Sequence, residues 1–175
     1  MIFIANLSFH RNSTPIRSIF FMAKHHTEHS IELKLPGSPS YEQVARATAV
    51  SIVRQMGFRQ DHIDALDTAL GEAYRNAIEH GNRGDDMLPV TIKFKLQQTC
   101  LLVEIVDHGE GFELPQSPDI DEQVAGREDR RGWGIHLMQN LVDQVSFHVN
   151  EQGEHFTCLY LFKNDVGNVR QGEDR

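Results

Sequence analysis

The stretch Glu72-Ala-Tyr-Arg-Asn76-Ala-Ile-Glu-His80-Gly81 ends a segment that predicts a long helix, from about Asp61 to His80. The apolar residues of this segment recur every three or four positions, as on a helix packed along one side; they are Ile63, Leu66, Ala69, Leu70, Ala73, Ala77 and Ile78. The run Gly81-Asn82-Arg83-Gly84 is typical of a helix end. Glu72 and Asn76 are four positions apart, which places them about 40° apart around the axis and facing one place.

The segments on either side of this helix predict an α/β architecture. Residues 31–35 alternate between apolar and charged side chains, as in a half-buried strand that stops at Pro36-Gly37. A further helix is expected from Ser38-Pro39-Ser40 to about Gly57. Two strands, about Val90 to Leu96 and Cys100 to Val106, are predicted to form a hairpin because only a short polar turn separates them.

The second strand of this hairpin leads directly into Asp107. The strand is apolar almost throughout, which predicts a central position with both faces covered. Asp107 would then lie at the carboxyl end of a central strand, where open α/β sheets commonly bind ligands. The segment Asp107-His108-Gly109-Glu110-Gly111 is followed by residues 113–130, which are polar and acidic and are expected to form a mobile loop that acts as a lid.

A third glycine-marked segment, Arg131-Gly132-Trp133-Gly134-Ile135, is predicted to precede the next helix directly. Glycines at a helix start leave exposed amides whose partial positive charge favours phosphate. Arg130 and Arg131 add cations at the same end, and Arg131 is the preferred candidate, although both could equally be solvated surface charges. Strands near Val145 to Val149 and Phe156 to Phe162 follow this helix.

Composition limits the class of protein. A chain of 175 residues with 39% hydrophobic and 24% charged residues fits one ordinary globular domain. The net charge of -8 disfavours sequence-independent binding to nucleic acid, which needs a cationic surface. No apolar run is long enough to span a bilayer, so we expect no membrane association. Cys100 and Cys158 are isolated, which predicts reduced thiols in the cytoplasm.

The predicted domain does not include the chain ends. We expect residues 1–29 to be an extension or a disordered arm, because Met22 followed by Ala-Lys-His-His resembles a natural start. Residues 30–163 are expected to form the domain, with the lid at about 113–131. Residues 164–175 are polar and are expected to form a flexible tail.

The three segments offer groups that suit a nucleotide. Asn76 could be an oxygen ligand to a Mg²⁺ ion that itself holds phosphates, or an amide bonded to neighbouring backbone. Asp107 could accept a hydrogen bond from the exocyclic amine of adenine, with Gly109 and Gly111 leaving the backbone bare for the base and sugar. The alternative is a tight turn that Asp107 caps.

In this order and spacing the motifs resemble a known superfamily. Glu72-x-x-x-Asn76-Ala77-x-x-His80-Gly81, with Val106-Asp107-His108-Gly109-x-Gly111, is similar to the ATP-binding motifs of gyrase, heat-shock chaperones, histidine kinases and mismatch-repair proteins. The closer resemblance is to the bacterial anti-sigma-factor serine-protein kinases, over roughly residues 30 to 163. It implies a Bergerat-type α+β two-layer sandwich, in which a mixed, mostly antiparallel sheet is covered on one face by helices.

The resemblance also implies roles for matching residues. Asn76 would coordinate Mg²⁺, Asp107 would bind the adenine amine, and Gly109 and Gly111 would shape the near end of the lid. Gly132 and Gly134 would close on the phosphates, beside Arg131. Glu72 would be the general base that takes the proton from a substrate serine. Trp133 departs from the family, in which smaller aliphatic residues are frequent at this position.

The implied activity is an ATP-dependent protein serine/threonine kinase of a partner-switching system. Its substrate would be a serine on an anti-sigma-factor antagonist, and it would also act as an anti-sigma factor on a sigma factor, with a homodimer joined through the first strand and helix. Three alternatives stay open: a kinase that switches other regulators without binding a sigma factor, a non-catalytic module that uses ATP to sequester a regulator, and a structural domain with no nucleotide site.

Overall fold

The computed structural model describes residues 29–108 and 130–163. The described chain forms three α-helices and five strands, in the order β1 (His29–Leu35), α1 (Glu42–Met56), α2 (Gln60–Asn76), β2 (Val90–Leu96), β3 (Cys100–Asp107), α3 (Arg130–Leu141), β4 (Gln144–Val149) and β5 (His155–Phe162). A short 3-10 turn (Pro39–Tyr41) precedes α1, and a π-helical turn (Ala77–Gly81) follows α2.

The strands form one sheet in the order β1-β2-β3-β5-β4, and every pairing among them is antiparallel. β3 is the central strand and is buried along nearly its whole length, as its apolar sequence predicts. Side chains alternate between the two faces, and those of one face pack with the helices in a single core that includes Ile92, Phe94, Leu101, Val103, Ile105, Leu159 and Leu161. The predicted two-layer α+β sandwich is confirmed.

Helices α1, α2 and α3 form the layer on this face, and α1 and α2 meet through small and branched residues. Ala45, Ala49 and Val53 of α1 are fully buried. Gly57 ends α1 with a φ of 79°, the left-handed conformation in which glycine carries no steric cost. On α2, the hydroxyl of Tyr74 donates to the carbonyl oxygen of Pro36 at 2.9 Å, which ties the helix to the end of β1.

Two helix boundaries differ from the prediction. The long helix is α-helical only to Asn76, and its last turn widens into the π form, in which the amide of Asn82 bonds the carbonyl of Ala77 at 2.7 Å. Helix α3 begins at Arg130, so Gly132 and Gly134 lie inside its first two turns and do not precede it. Glycine is a poor helix former, which made a later start more plausible from sequence, but the packing of Gly134 against α2 overrides that preference.

Several expectations lie wholly or mostly outside the described residues. These are the extension over 1–28, residues 109–129 of the lid, and the tail over 164–175. Arg130 and Arg131, which were expected at the end of the lid, belong to α3. Within the described ranges, no helix is long and apolar enough to cross a membrane.

Candidate functional site

The three sequence segments converge at one end of α2. Gly134, near the start of α3, faces Glu72 and Asn76: a β-carbon added to it would lie 3.2 Å from Glu72 Oε2 and 3.6 Å from both polar atoms of the Asn76 amide. Gly81, at the end of the π turn, lies directly on the carboxyl group of Asp107. The end of α2 is therefore wedged between the end of β3 and the start of α3.

Asp107 is buried, with 4% of its surface exposed, at the carboxyl end of the central strand. A side chain at Gly81 would collide with the Cβ, Cγ and Oδ1 atoms of Asp107, so only glycine allows this approach of the π turn to the carboxylate. A buried carboxylate is costly unless polar groups surround it. Asp107 thus lies at the end of the central strand, where its place in the sequence predicts it, and recognition of a donor such as an amine stays a prediction.

Asn82 is a functional candidate that sequence reasoning missed. Its side chain is buried, with 2% exposure, and it bridges two loops: Oδ1 accepts a hydrogen bond from the amide of His108 at 3.0 Å, and Nδ2 donates to the carbonyl of Leu88 at 2.9 Å. The residue thus fixes the backbone immediately after Asp107. The sequence predicts Asn82 only as part of a helix end, and its place between Gly81 and Gly84 is the signal that points to a special turn there.

Glu72 and Arg75 form an ion pair three positions apart on α2, through Glu72 Oε1 and Arg75 Nη2. Arg75 Nη1 also donates to Glu42 Oε1 on α1, at 2.9 Å. Burial lowers the pKa of Arg75, but its bonds and charge interactions with Glu42 and Glu72 outweigh burial and raise that pKa above its ordinary value. The guanidinium therefore stays charged between two carboxylates. Arg75 was not predicted as a site residue.

Asn76 is the last α-helical residue of α2 and is partly buried. Its amide and the Glu72 carboxylate provide oxygen atoms next to the start of α3, where the first four amides of a helix have no intrahelical partner. Oxygen donors beside such an end suit Mg²⁺ and phosphate. Among the described residues, no three His, Cys, Asp or Glu side chains form a cluster that could hold a metal ion on their own.

The remaining predicted site residues divide into two groups. Gly109 and Gly111 lie outside the described residues. Arg131 and Gly132 lie in the first turn of α3, and Gly134 follows in the next turn, where it is buried. Trp133, between the two glycines, is 54% exposed.

Comparison with known families identifies this arrangement. Residues 35–161, well over half of the chain, match the family described as "Histidine kinase-like ATPase domain". The chain belongs to this family. The matched range contains every predicted site residue, and it includes the elements that bring Glu72, Asn76 and Asp107 to one end of α2.

Curated relatives within the family narrow the resemblance. The "Serine-protein kinase RsbW" of Bacillus subtilis is 31% identical over 120 residues, which are 66% of this chain and 75% of that protein. Proteins of the same name from Bacillus velezensis and Listeria monocytogenes are 29% and 28% identical, over 78% and 90% of their lengths. The predicted membership in the anti-sigma-factor serine kinase family is confirmed, and the predicted class of enzyme, a serine kinase, agrees with it.

One solved structure has the same fold. The crystal structure of the RsbU and RsbW domains of a Mycobacterium tuberculosis protein superposes with a TM-score of 0.55 at 16% identity. The match covers 77% of this chain and 32% of that one. At this identity the likeness concerns the fold, and it supports the antiparallel sheet with one helical layer.

Proposed function

We propose that this protein is an ATP-dependent serine-protein kinase that phosphorylates a serine on an anti-sigma-factor antagonist and also acts as an anti-sigma factor. The observation that carries the proposal is the contact of Glu72 and Asn76 with the start of α3 at Gly134, in a chain of an ATPase family. A carboxylate can accept a proton, an amide oxygen can bind Mg²⁺ and a helix amino end can bind phosphate, so these three groups together would support transfer of a phosphoryl group.

The adenine base would be bound at the end of β3. Asp107 would accept a hydrogen bond from the exocyclic amine, and Gly81 and Asn82 would keep the carboxylate and the following backbone in place. Gly109 and Gly111 would leave the backbone accessible to the base and the sugar. Their roles remain predictions, because both lie outside the described residues.

The phosphates would be bound between α2 and α3. Asn76 would hold Mg²⁺ through its amide oxygen, and the free amides of the first turn of α3 would bind phosphate oxygens, with Arg131, Gly132 and Gly134 on that turn and the next. Bound Mg²⁺ would neutralise charge that develops on the phosphate oxygens. Gly134 allows α3 to lie this close to α2, because the side chain of a larger residue would press against Glu72 and Asn76.

Glu72 would act as the general base. Its Oε2 would accept the proton of the substrate serine while the serine oxygen forms a bond to the γ-phosphorus. The bond between that phosphorus and the β–γ bridging oxygen breaks, and ADP leaves with the electron pair. Oε2 of Glu72 lies beside Gly134 near the start of α3, which supports this oxygen as the one that would accept the proton.

The partners belong to the proposal as well. The antagonist and the sigma factor, both proteins, would bind to this protein in the cytoplasm. A homodimer through β1 and α1 is supported by exposed apolar residues in and next to these elements: Ile31 of β1, Tyr41 directly before α1 and Val44 of α1 are each about 40% or more exposed. Light scattering of the wild type and of a Val44→Glu variant would test it, because the charge is expected to convert a dimer into monomers, whereas identical masses would exclude this contact.

The kinase proposal is tested by phosphoserine formation. The purified chain would be mixed with radiolabelled Mg-ATP and with each anti-sigma-factor antagonist domain encoded in the same genome. We expect transfer to a serine of one antagonist, and a fall of about 100-fold or more in Glu72→Gln with ATP affinity preserved. Tight complex formation with no transfer by the wild type would instead support the non-catalytic sequestering module.

A further inference from the structure

Arg75 has no role in the proposed mechanism, although it contacts Glu72, which is the proposed base. Arg75 Nη2 binds Glu72 Oε1, and the other end of its guanidinium, Nη1, binds Glu42 Oε1 at 2.9 Å. The Arg75 side chain is 38% exposed and the two carboxylate side chains are 22% and 19% exposed. A pair this sheltered is screened less by solvent than a pair on the open surface.

Glu42, which binds the other end of the Arg75 guanidinium, is itself held in place. Glu42 lies in the first turn of α1, and its Oε1 is also 3.5 Å from Arg46, which pairs with Asp67 of α2 through two bonds of 2.9 Å and 2.5 Å. Gly71 makes room for this arrangement, because a β-carbon there would lie 3.0 Å from Glu42 Oε1. The result is a row of alternating charges across the α1–α2 contact that ends at Glu72.

A glutamate needs such a restraint if it is to serve as a base. Its side chain has several rotatable bonds, so an unrestrained carboxylate is in the reactive orientation for only part of the time. Displacements of about 1 Å at a reacting group can reduce a rate by about 100-fold. Among the side chains that the structure describes, Arg75 is the residue that bonds the Glu72 carboxylate.

We propose that Arg75 is a positioning residue for Glu72: it binds Oε1, is anchored by Glu42, and thereby directs Oε2 toward the serine hydroxyl. This inference rests on the proposed role of Glu72 as general base. A planar guanidinium suits the task, because its fork can bind one carboxylate on each helix, whereas the ammonium of a lysine is a single compact charge.

The test compares variants of Arg75 in the 175-residue chain. Phosphorylation is measured with the antagonist that the kinase assay identifies, and ATP hydrolysis, in which water is the acceptor, is measured in parallel. Arg75→Gln is expected to lower kcat by about 10- to 100-fold, with KM for ATP changed by less than about 2-fold. Arg75→Lys is expected to recover part of the rate. The matched control is Arg59→Gln, since Arg59 precedes α2 at its other end and pairs with exposed Asp61 at 2.8 Å.

A purely structural role would predict other results. If Arg75 acts through Glu72, adding Arg75→Gln to Glu72→Gln should change the residual rate by less than about 2-fold, because residues that act as a unit are not additive. Glu42→Gln gives a second measurement if Arg75→Gln folds poorly: it leaves the Arg75–Glu72 pair intact and should lower kcat by about 3- to 10-fold.

Two outcomes would overturn the inference: a wild-type kcat in Arg75→Gln, or a further full loss when it is added to Glu72→Gln. These failures are distinguishable from failure of the proposed function. If Glu72→Gln itself retains the wild-type rate, the general base is assigned wrongly. If Glu72→Gln loses activity but Arg75→Gln does not, the kinase proposal stands and only the role of Arg75 is excluded.

Discussion

Two regions of helix α2, the side that faces the sheet and the end near β3 and α3, are built in different ways. The side toward the sheet is held by apolar packing, with Leu66, Leu70, Ala73 and Tyr74 fully buried. The end near β3 and α3 is held by close backbone approach at Gly81 and Gly134 and by the buried amide of Asn82. Apolar packing tolerates small adjustments, whereas contacts at glycine and at buried polar groups depend on position to a fraction of an ångström. The first side stabilises the fold, and the second places chemical groups.

The packed side should dominate stability. Leu66→Ala removes a fully buried side chain from the core, and we expect the free energy of unfolding in urea to fall by about 2–5 kcal/mol. The affinity of the folded fraction for ATP should be unchanged, because Leu66 lies on the packed side. Val149→Ala, at a position of β4 that is 48% exposed, is the control and should change stability by less than about 0.5 kcal/mol. Equal losses in the two variants would contradict the assignment of the core.

The opposite pattern is expected at Gly81. An added methyl group would collide with the Asp107 carboxyl group, so Gly81→Ala should lower stability by about 1–3 kcal/mol and also weaken Mg-ATP binding strongly in calorimetric titration. Gly84→Ala is the matched control in the same turn: its φ of 75° makes alanine strained, but no atom lies within 4 Å of the added carbon. It should cost about 1–2 kcal/mol with normal ATP affinity.

Variants of Asn82 test whether buried polar groups position the end of α2 near β3. Asn82→Ala leaves the His108 amide and the Leu88 carbonyl without their partner, and each such loss costs about 1–3 kcal/mol when the group is buried. Asn82→Asp separates the two bonds, because a carboxylate can accept from His108 but cannot donate to Leu88. We expect Asp to preserve more ATP affinity than Ala. The reverse order would show that the bond to Leu88 positions the site.

The smallest effect is expected from Tyr74, and only at high pH. Burial raises the pKa of its hydroxyl to about 12, from an ordinary value of 10.0. The folded state therefore favours the neutral phenol, so this contribution to stability is complete below about pH 10 and is lost as the pH rises toward 12. Unfolding curves should show a steeper alkaline loss in the wild type than in Tyr74→Phe. Parallel curves would exclude Tyr74 as the group that titrates.

The contrast between the two sides also explains what the sequence could predict. The stripe on α2, the alternation in β1, and Gly57 as the end of α1 are local patterns, and the structure has those elements in the predicted places. The end of β3 was also predictable, because an apolar strand that stops at an aspartate is visible along the chain. The motifs were sufficient to name the family.

The rest depends on residues that are distant in sequence. Gly81 was interpreted as a helix end, but its role comes from contact with Asp107, 26 positions later, and no local pattern encodes that contact. The α3 boundary was wrong for the same reason: the packing of Gly134 on Glu72 and Asn76 extends the helix through two glycines. Arg75 could be read as an ordinary surface charge until Glu42, 33 positions away, was placed beside it.

The central claim is that the end of α2, together with Asp107, forms an ATP site. Its most direct test is calorimetric titration of Mg-ATP into the wild type, Asp107→Asn and Asn76→Ala, at matched folded concentrations. We expect binding by the wild type and a loss of at least about 10-fold in affinity in each variant, since removing a partner of a charged or buried group costs about 1.5–3 kcal/mol. No binding by the wild type, or unchanged affinity in both variants, would contradict the claim.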